Sequence, residues 1–214
     1  ELEAVSSRGS DDRADIATIP SPKCLVACNL QKGKGVHVAI EAVKVLRERG
    51  HLVHLLIAGD VPRGGDIQYR DRLHEMVQVS GLQNQVHFLG WRSDLPAVMG
   101  MCDVLLVPSI AGESFGMVAA EAMALGKPVI ASRIGGLPEV VQDGQVGYLL
   151  EPGDANELAD RIWQLISNTS LYERFSREAR RWVDTQFAVQ RQAREIAWIV
   201  GKVVNGTGLG ALQG

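Results

Sequence analysis

Apolar runs alternate with amphipathic segments along most of this chain. The run CLVAC at 24–28 is followed, within 36–50, by apolar residues that recur at helical spacing and share one face: Val36, Ile40, Val43 and Leu46. The same alternation predicts further strands at 52–59, 86–90, 104–109, 128–132 and 144–150. It predicts further helices at 69–81, 94–101, 116–126, 154–167, 170–185 and 188–204.

Strands made of near-continuous Val, Leu and Ile, with helices between them, are typical of a parallel sheet that is covered on both faces. The pattern therefore predicts the α/β class, with a doubly wound parallel sheet in one domain at 23–204. Residues 1–22 are polar and end in two prolines, so a linker is expected there. Residues 205–214 are expected to form a flexible tail.

Composition narrows the class of protein without naming a function. Hydrophobic residues make up 46% and charged residues 22% of the 214, which is ordinary for a soluble globular protein. A net charge of −3 gives no reason to expect nucleic-acid binding. No apolar run approaches the ~20 residues of a membrane span, and the start does not look like a signal peptide. Three cysteines are interpreted as reduced thiols rather than zinc ligands, so a cytoplasmic location is expected: Cys24, Cys28 and Cys102.

Glycines recur in the loops that follow the predicted strands. In a doubly wound sheet these loops gather at the carboxyl ends of the strands, where ligands bind. One such glycine is best explained by a turn, but glycines in five loops indicate close approach of the backbone to a ligand. The glycines concerned are Gly33, Gly35, Gly59, Gly90, Gly116, Gly135 and Gly136.

Two features of these loops suit a phosphate. A helix is predicted to begin at Gly116, and a helix start offers unpaired N–H groups and partial positive charge. Lys34 stands at the start of another predicted helix, a mildly unfavourable place for a cation, which favours a functional role over simple solvation. Its neighbour Lys32 is interpreted as solvated. Neither G-x-G-x-x-G after the first strand nor a P-loop is present, so a dinucleotide dehydrogenase or P-loop enzyme loses its main support.

Glu113 and Glu121 lie on either side of the predicted helix start. Glu113 could accept hydrogen bonds from ligand hydroxyls just before the turn, and Glu121 could do so further along the helix. A diphosphate between two hydroxyl-bearing groups is the outline of a sugar nucleotide. Alternatively, Glu113 is a loop carboxylate with no ligand, and Glu121 is a solvated charge on the helix. The apolar neighbours of Glu121 disfavour the solvated interpretation of that residue.

A set of ordered phrases carries a family resemblance from about Val26 to Ile166. They are LQKGKGVHVAIEAVKVL, LLIAGD, VHFLGW, LPAVMGMCDVLLVPS, ESFGMVAAEAMALGKPVIAS and GGLPEVVQDGQVGYLLEPGDANELADRI. The chain resembles the nucleotide-sugar-binding C-terminal domain of a retaining GT-B glycosyltransferase, of the "group 1" family with the E-x7-E motif. The resemblance implies a Rossmann-like domain that is the donor-binding half of the GT-B fold.

The resemblance also implies roles for particular residues. Glu113 would contact the donor sugar, Glu121 the ribose and Lys34 the diphosphate, with Glu113 and Lys34 as the catalytic pair. Backbone amides would face sugar and phosphate at Phe115, Gly116, Met117 and Val118. The segment near the base would be Trp91 and Arg92, although Trp91 could instead pack over the domain.

The chain departs from the family pattern in two ways. Asn29 stands where many relatives have a second diphosphate-binding arginine, and an amide cannot neutralise a phosphate. Residues 1–22 cannot form the N-terminal acceptor domain of a GT-B enzyme, so transfer to a glycan, lipid or small molecule is expected to need that missing domain. Whether the full enzyme associates with a membrane stays open.

No metal or other cofactor is expected, because no Asp-x-Asp pair is present and Asp11-Asp12 is interpreted as linker charge. None of the five histidines suggests a base. Two alternatives stay open: a non-catalytic sugar-nucleotide or glycan-binding module, and an epimerase or phosphorylase of the same architecture. A phosphorylase would need a cofactor lysine, and none stands out.

Overall fold

The computed structural model describes residues 16–187. Within them, six parallel strands form one sheet in the order β3-β2-β1-β4-β5-β6. The strands are β1 (Lys23–Ala27), β2 (His54–Ala58), β3 (Val86–Gly90), β4 (Val104–Val107), β5 (Val129–Ser132) and β6 (Gly147–Leu150). The strand order reverses between β1 and β4, and this switch point is where ligands bind in doubly wound sheets.

Between residues 23 and 187, seven α-helices and one 3₁₀ turn connect or flank the strands. The 3₁₀ turn is Lys32–Lys34, and the helices are α1 (Val36–Glu48), α2 (Ile67–Val79), α3 (Leu95–Gly100), α4 (Met117–Ala124), α5 (Leu137–Val140), α6 (Ala155–Ile166) and α7 (Thr169–Gln186). The α/β class and the doubly wound parallel sheet are confirmed. The short helix α5 and the 3₁₀ turn were not predicted, because one turn is too short to show a period. The predicted helix 188–204 and tail 205–214 lie outside the described residues.

Two hydrophobic cores lie on the two faces of the sheet. Alternate residues of each central strand enter opposite cores, as the two-residue period of a strand requires: in β1, Cys24 and Val26 face one core and Leu25 and Ala27 the other. The first core is closed by α1, α2 and α6, and the second by α3, α4 and α5. This double cover explains why every residue of β1 is buried and why the strands show no polar alternation.

Some element ends differ from the prediction. The strand predicted at 104–109 ends at Val107, since Pro108 has no N–H to donate to the sheet. Ile16, within the expected linker, is 1% exposed and packs into the second core. The few apolar residues around Ile16 form no helical or strand period long enough to predict this contact.

A histidine pair lies at the amino ends of β2 and β3, the edge opposite the switch-point loops. His54 Nδ1 and His87 Nε2 are 3.2 Å apart, and His54 Nε2 is buried with no hydrogen-bond partner among the described residues. Burial lowers the pKa of His54, with a further contribution from the charge of Lys23. Burial also lowers the pKa of His87, and His54 lowers it further. Both rings are therefore neutral in the folded protein at neutral pH.

This pair predicts an acid-sensitive fold. A histidine whose pKa is lower folded than unfolded contributes its full stability above the unfolded pKa near 6.5, and that stability is lost as the pH falls towards the folded pKa. The urea midpoint should therefore be lower at pH 5.5 than at pH 7.5, and the difference should shrink in His54→Phe/His87→Phe. His51→Asn is the control, because His51 stacks on Trp163 instead. A double variant that keeps the wild-type pH difference would contradict the prediction.

Candidate functional site

A cleft of about 430 Å³ lies at the carboxyl ends of β1, β2 and β4, beside the switch point. Its walls come from the loops after β1, β2, β3 and β4 and from the first turns of α4. All ten residues predicted for the site line it: Asn29, Lys34, Trp91, Arg92, Glu113, Phe115, Gly116, Met117, Val118 and Glu121. Their individual roles stay predictions.

An ion pair joins two of these residues across the cleft. Lys34 Nζ donates to Glu113 Oε2 at 2.8 Å, and the side chains are 25% and 10% exposed. Ser109 Oγ donates to the same oxygen at 3.1 Å. Ser109 is buried, and it was not among the residues predicted for the site. A signal was available, since Ser109 is a polar residue that follows a buried strand at the ligand-binding edge.

Glycines hold the loops of the cleft against one another. The carbonyl of Gly33 accepts from the N–H groups of Ile110 and Ala111 at 2.8 and 3.1 Å. Gly35 has φ +66°, and a Cβ there would lie 1.8 Å from the carbonyl oxygen of Pro108. A Cβ at Gly135 would lie 1.7 Å from the carbonyl oxygen of Glu113.

These contacts correct one interpretation of the sequence. The glycines were expected to let the backbone approach a ligand, but Gly35, Gly59 and Gly135 approach neighbouring backbone instead. A larger residue at these positions would push the loops apart. Gly35 and Gly135 therefore fix the spacing of the loops that carry Lys34 and Glu113.

Helix α4 points its amino end into the cleft. Gly116 caps it in the left-handed region with φ +81°, where a Cβ would lie 2.6 Å from a side-chain methyl of Leu137. The first N–H groups of an α-helix have no partner within the helix and carry partial positive charge. Met117 and Val118 line the cleft at this end, so the helix start can receive an anion there.

Helix α7 and the residue after it contact α4 and its surroundings. Arg180 Nη2 donates to the carbonyl of Leu125 at 3.2 Å, just beyond the end of α4. Trp182 Nε1 donates to the carbonyl of Val140 at 2.8 Å. The ring of Phe187 lies edge-on to that of Phe115, with centroids 5.8 Å apart. These contacts join residues 180–187 to both flanks of α4 and to the end of α5.

Glu121 differs from the expectation raised by its apolar neighbours. Ala119, Ala122 and Met123 are buried on the core side of α4, whereas Glu121 is exposed and lies at the rim of the cleft. The suggestion that its carboxylate is withdrawn from water is therefore wrong. The apolar run reflects the core face of a helix, and Glu121 is on the other face.

Arg92 and Trp91 form the wall nearest β3. The side chain of Arg92 is 4% exposed, and its guanidinium group pairs with the carboxylate of Asp94. Nε donates to Oδ1 at 2.9 Å and Nη2 donates to Oδ2 at 3.0 Å. Trp91 is 67% exposed, so the alternative in which it packs over the domain is wrong. Asp94 was not predicted, and its contact with Arg92 depends on the turn between them.

The cleft also contains a cysteine that cannot act as a nucleophile at neutral pH. Burial raises the pKa of Cys28 to about 12, with Lys34 opposing and Glu113 adding to the shift. The thiol is therefore protonated under physiological conditions.

Across residues 16–187, no three His, Cys, Asp or Glu side chains are grouped so that they could hold a metal ion together. The helices of the same range include none that is long and apolar enough to cross a membrane, and the cytoplasmic location stays a prediction.

The sheet order and the switch-point cleft define a Rossmann-like domain of the kind found in GT-B proteins. The chain belongs to the family "Glycosyl transferases group 1", whose sequence model matches residues 14–182.

Relatives and solved structures support this assignment. The phosphatidyl-myo-inositol mannosyltransferase of Mycobacterium leprae is 40% identical over 144 residues, which are 66% of this chain and 36% of the relative. The N-acetyl-alpha-D-glucosaminyl L-malate synthase of Bacillus anthracis is 35% identical over 164 residues, 76% of this chain and 41% of the relative. The chain thus spans about two fifths of the length of these relatives.

Two crystal structures illustrate the structural likeness. Anabaena HepE in complex with UDP-glucose has a TM-score of 0.80 and 32% identity, with 89% of this chain and 51% of that chain covered. The C-terminal domain of the glycosyl transferase group 1 protein LpcC from Francisella tularensis has a TM-score of 0.72 and 28% identity. In that comparison 85% of this chain and 95% of the other are covered.

Proposed function

We propose that this domain binds the sugar nucleotide of a retaining glycosyltransferase, which moves the sugar from a nucleoside diphosphate to an acceptor hydroxyl. The contact of Lys34 with Glu113 at the switch-point cleft carries the proposal. In a sugar nucleotide the sugar is bonded directly to the terminal phosphate. A cation for the phosphate and a carboxylate for sugar hydroxyls must therefore be neighbours, and these two are 2.8 Å apart.

The diphosphate is held between Lys34 and the start of α4. When the bond between the anomeric carbon and the phosphate oxygen breaks, the electron pair leaves with the diphosphate, whose charge increases. Lys34 and the N–H groups at Met117 and Val118 stabilise that charge, which is a large source of catalysis when the groups are already in place. The proposed chemistry needs no metal ion.

The nucleoside lies further along the cleft. Glu121, about one turn into α4, accepts hydrogen bonds from the ribose, and the base lies at the wall of Trp91 and Arg92. The complexes of HepE with UDP and UDP-glucose make uracil the first base to test. Asn29 can donate to a phosphate but cannot neutralise it, so charge neutralisation relies on Lys34 and the helix start.

Transfer also needs a site for the acceptor. GT-B enzymes place the active site between two domains, and the acceptor would meet the sugar on the open side of the cleft. We therefore propose that an acceptor-binding domain cooperates with this one. The acceptor attacks on the face from which the diphosphate leaves, so that the anomeric configuration is retained.

Calorimetry with UDP, GDP and ADP tests the proposal. One of them should bind with a dissociation constant of about 10–1,000 μM, since only one half of a two-domain site contributes. Adenosine and uridine, which have no phosphate groups, are the controls that measure the contribution of the diphosphate. They should bind much more weakly than the nucleoside diphosphates. If none of the three diphosphates binds at millimolar concentration, the domain is not a sugar-nucleotide site by itself.

A further inference from the structure

We propose that Ser109 is a positioning residue that aims the carboxylate of Glu113 at the donor sugar; this rests on the proposed donor-binding function. Ser109 is 1% exposed and lies two residues beyond the end of β4. Its Oγ donates to Glu113 Oε2 at 3.1 Å. A buried hydroxyl directed at a site carboxylate restricts that carboxylate more than a mobile surface group could.

The hydrogen bonds to Glu113 favour one orientation. Lys34 Nζ and Ser109 Oγ both donate to Oε2, and neither bond uses Oε1. The backbone of Glu113 is held from the other side, where its carbonyl accepts from Gly136 N–H at 3.3 Å and Gly135 packs against it. With backbone and Oε2 both held, Oε1 is the oxygen that can accept a hydroxyl of a hexose.

Ser109 matters most when the site is occupied. A diphosphate competes with Glu113 for the ammonium of Lys34, because both are anions within reach of one cation. As Lys34 turns towards the phosphate, its bond to Oε2 weakens, and Ser109 becomes the group that keeps the carboxylate in place. Ser109 therefore serves the sugar end of the ligand and contributes little to the nucleotide end.

Calorimetry with UDP and UDP-glucose separates these two ends. Ser109→Ala should bind UDP within about twofold of wild type and bind UDP-glucose about threefold to tenfold more weakly, the effect of one lost hydrogen bond. Ser109→Thr keeps a hydroxyl and should restore most of the loss. Ser132→Ala is the matched control, because Ser132 is also buried and ends the neighbouring strand β5. A general packing defect would lower both affinities, so a selective loss distinguishes positioning from structure.

A second measurement tests the same contact without any ligand. Urea unfolding of Ser109→Ala, Glu113→Ala and the double variant should be non-additive, because each single substitution removes the one hydrogen bond that the two side chains share. Additive effects, or equal loss of UDP and UDP-glucose affinity in Ser109→Ala, would overturn the positioning role. If wild type binds neither ligand, the proposed function fails, while the unfolding cycle still decides whether Ser109 holds Glu113.

Discussion

Replacing Lys34 with methionine should weaken UDP binding about tenfold to a hundredfold, the range expected for a lost hydrogen bond between charged groups. Lys34 Nζ is in the cleft, and its proposed partner is the diphosphate. The loss has a second cause, since Glu113, 10% exposed, would keep its negative charge beside the phosphate with no cation next to it. Calorimetry with UDP measures the effect, and thermal unfolding establishes that the variant is folded.

The neighbouring Lys32 provides the matched control. It belongs to the same loop and carries the same charge, but it is exposed and does not line the cleft. Lys32→Met should change UDP affinity by less than about threefold, since charges in solvent are screened. The double variant Lys34→Met/Glu113→Gln should recover part of the lost affinity. Equal effects of the two lysine variants would mean that the loop acts through its overall charge and that Lys34 has no special role.

Replacing Glu113 with glutamine should separate UDP from UDP-glucose. Glutamine keeps the shape but removes the charge that pairs with Lys34, so UDP affinity should stay unchanged or rise by up to about fivefold. Affinity for the correct UDP-sugar should fall about tenfold to a hundredfold, because a charged acceptor of sugar hydroxyls is lost. In the two-domain enzyme, turnover should fall further if Glu113 acts on the sugar during transfer.

Glu121→Gln is the comparison for this result. If Glu121 holds the ribose, UDP and UDP-sugar should weaken by the same factor, since both contain that ribose. Glu121 is exposed, so the variant should unfold at nearly the wild-type temperature. A Glu113→Gln variant that impairs UDP and UDP-sugar equally would show that the two carboxylates do not divide the ligand as proposed.

The parallel sheet explains why the site could be predicted before its geometry was known, whereas the reason for the loop glycines could not. A parallel sheet brings the ends of its strands to one edge, so residues that follow different strands become neighbours whatever the loop details. This is why all ten predicted residues line one cleft. The reason for the glycines was harder to see, because Gly35 and Gly135 are required by backbone from other loops, at Pro108 and Glu113.

The sequence by itself determined the architecture and part of the lining of the cleft. Strand and helix periods are local properties, and the rule that ligands bind at strand ends needs only their order. Reasoning from the strand ends reached Lys34, Glu121 and the segment from Glu113 to Gly116, and the family resemblance supplied the other predicted residues of the cleft. Their E-x7-E spacing and the phrases around it also carried the family resemblance.

Only the tertiary structure decided which side chains touch. Lys34 and Glu113 are 79 positions apart, and their contact depends on how two glycine loops pack. Ser109 joined the site because its hydroxyl turns towards Glu113, and Glu121 proved exposed because its apolar neighbours belong to the opposite face of α4. The pairing of His54 with His87 depends on the register of β2 and β3. Each of these features depends on a contact between different elements or on the direction of one side chain. The local periodicity of the sequence predicts neither contacts between elements nor side-chain directions.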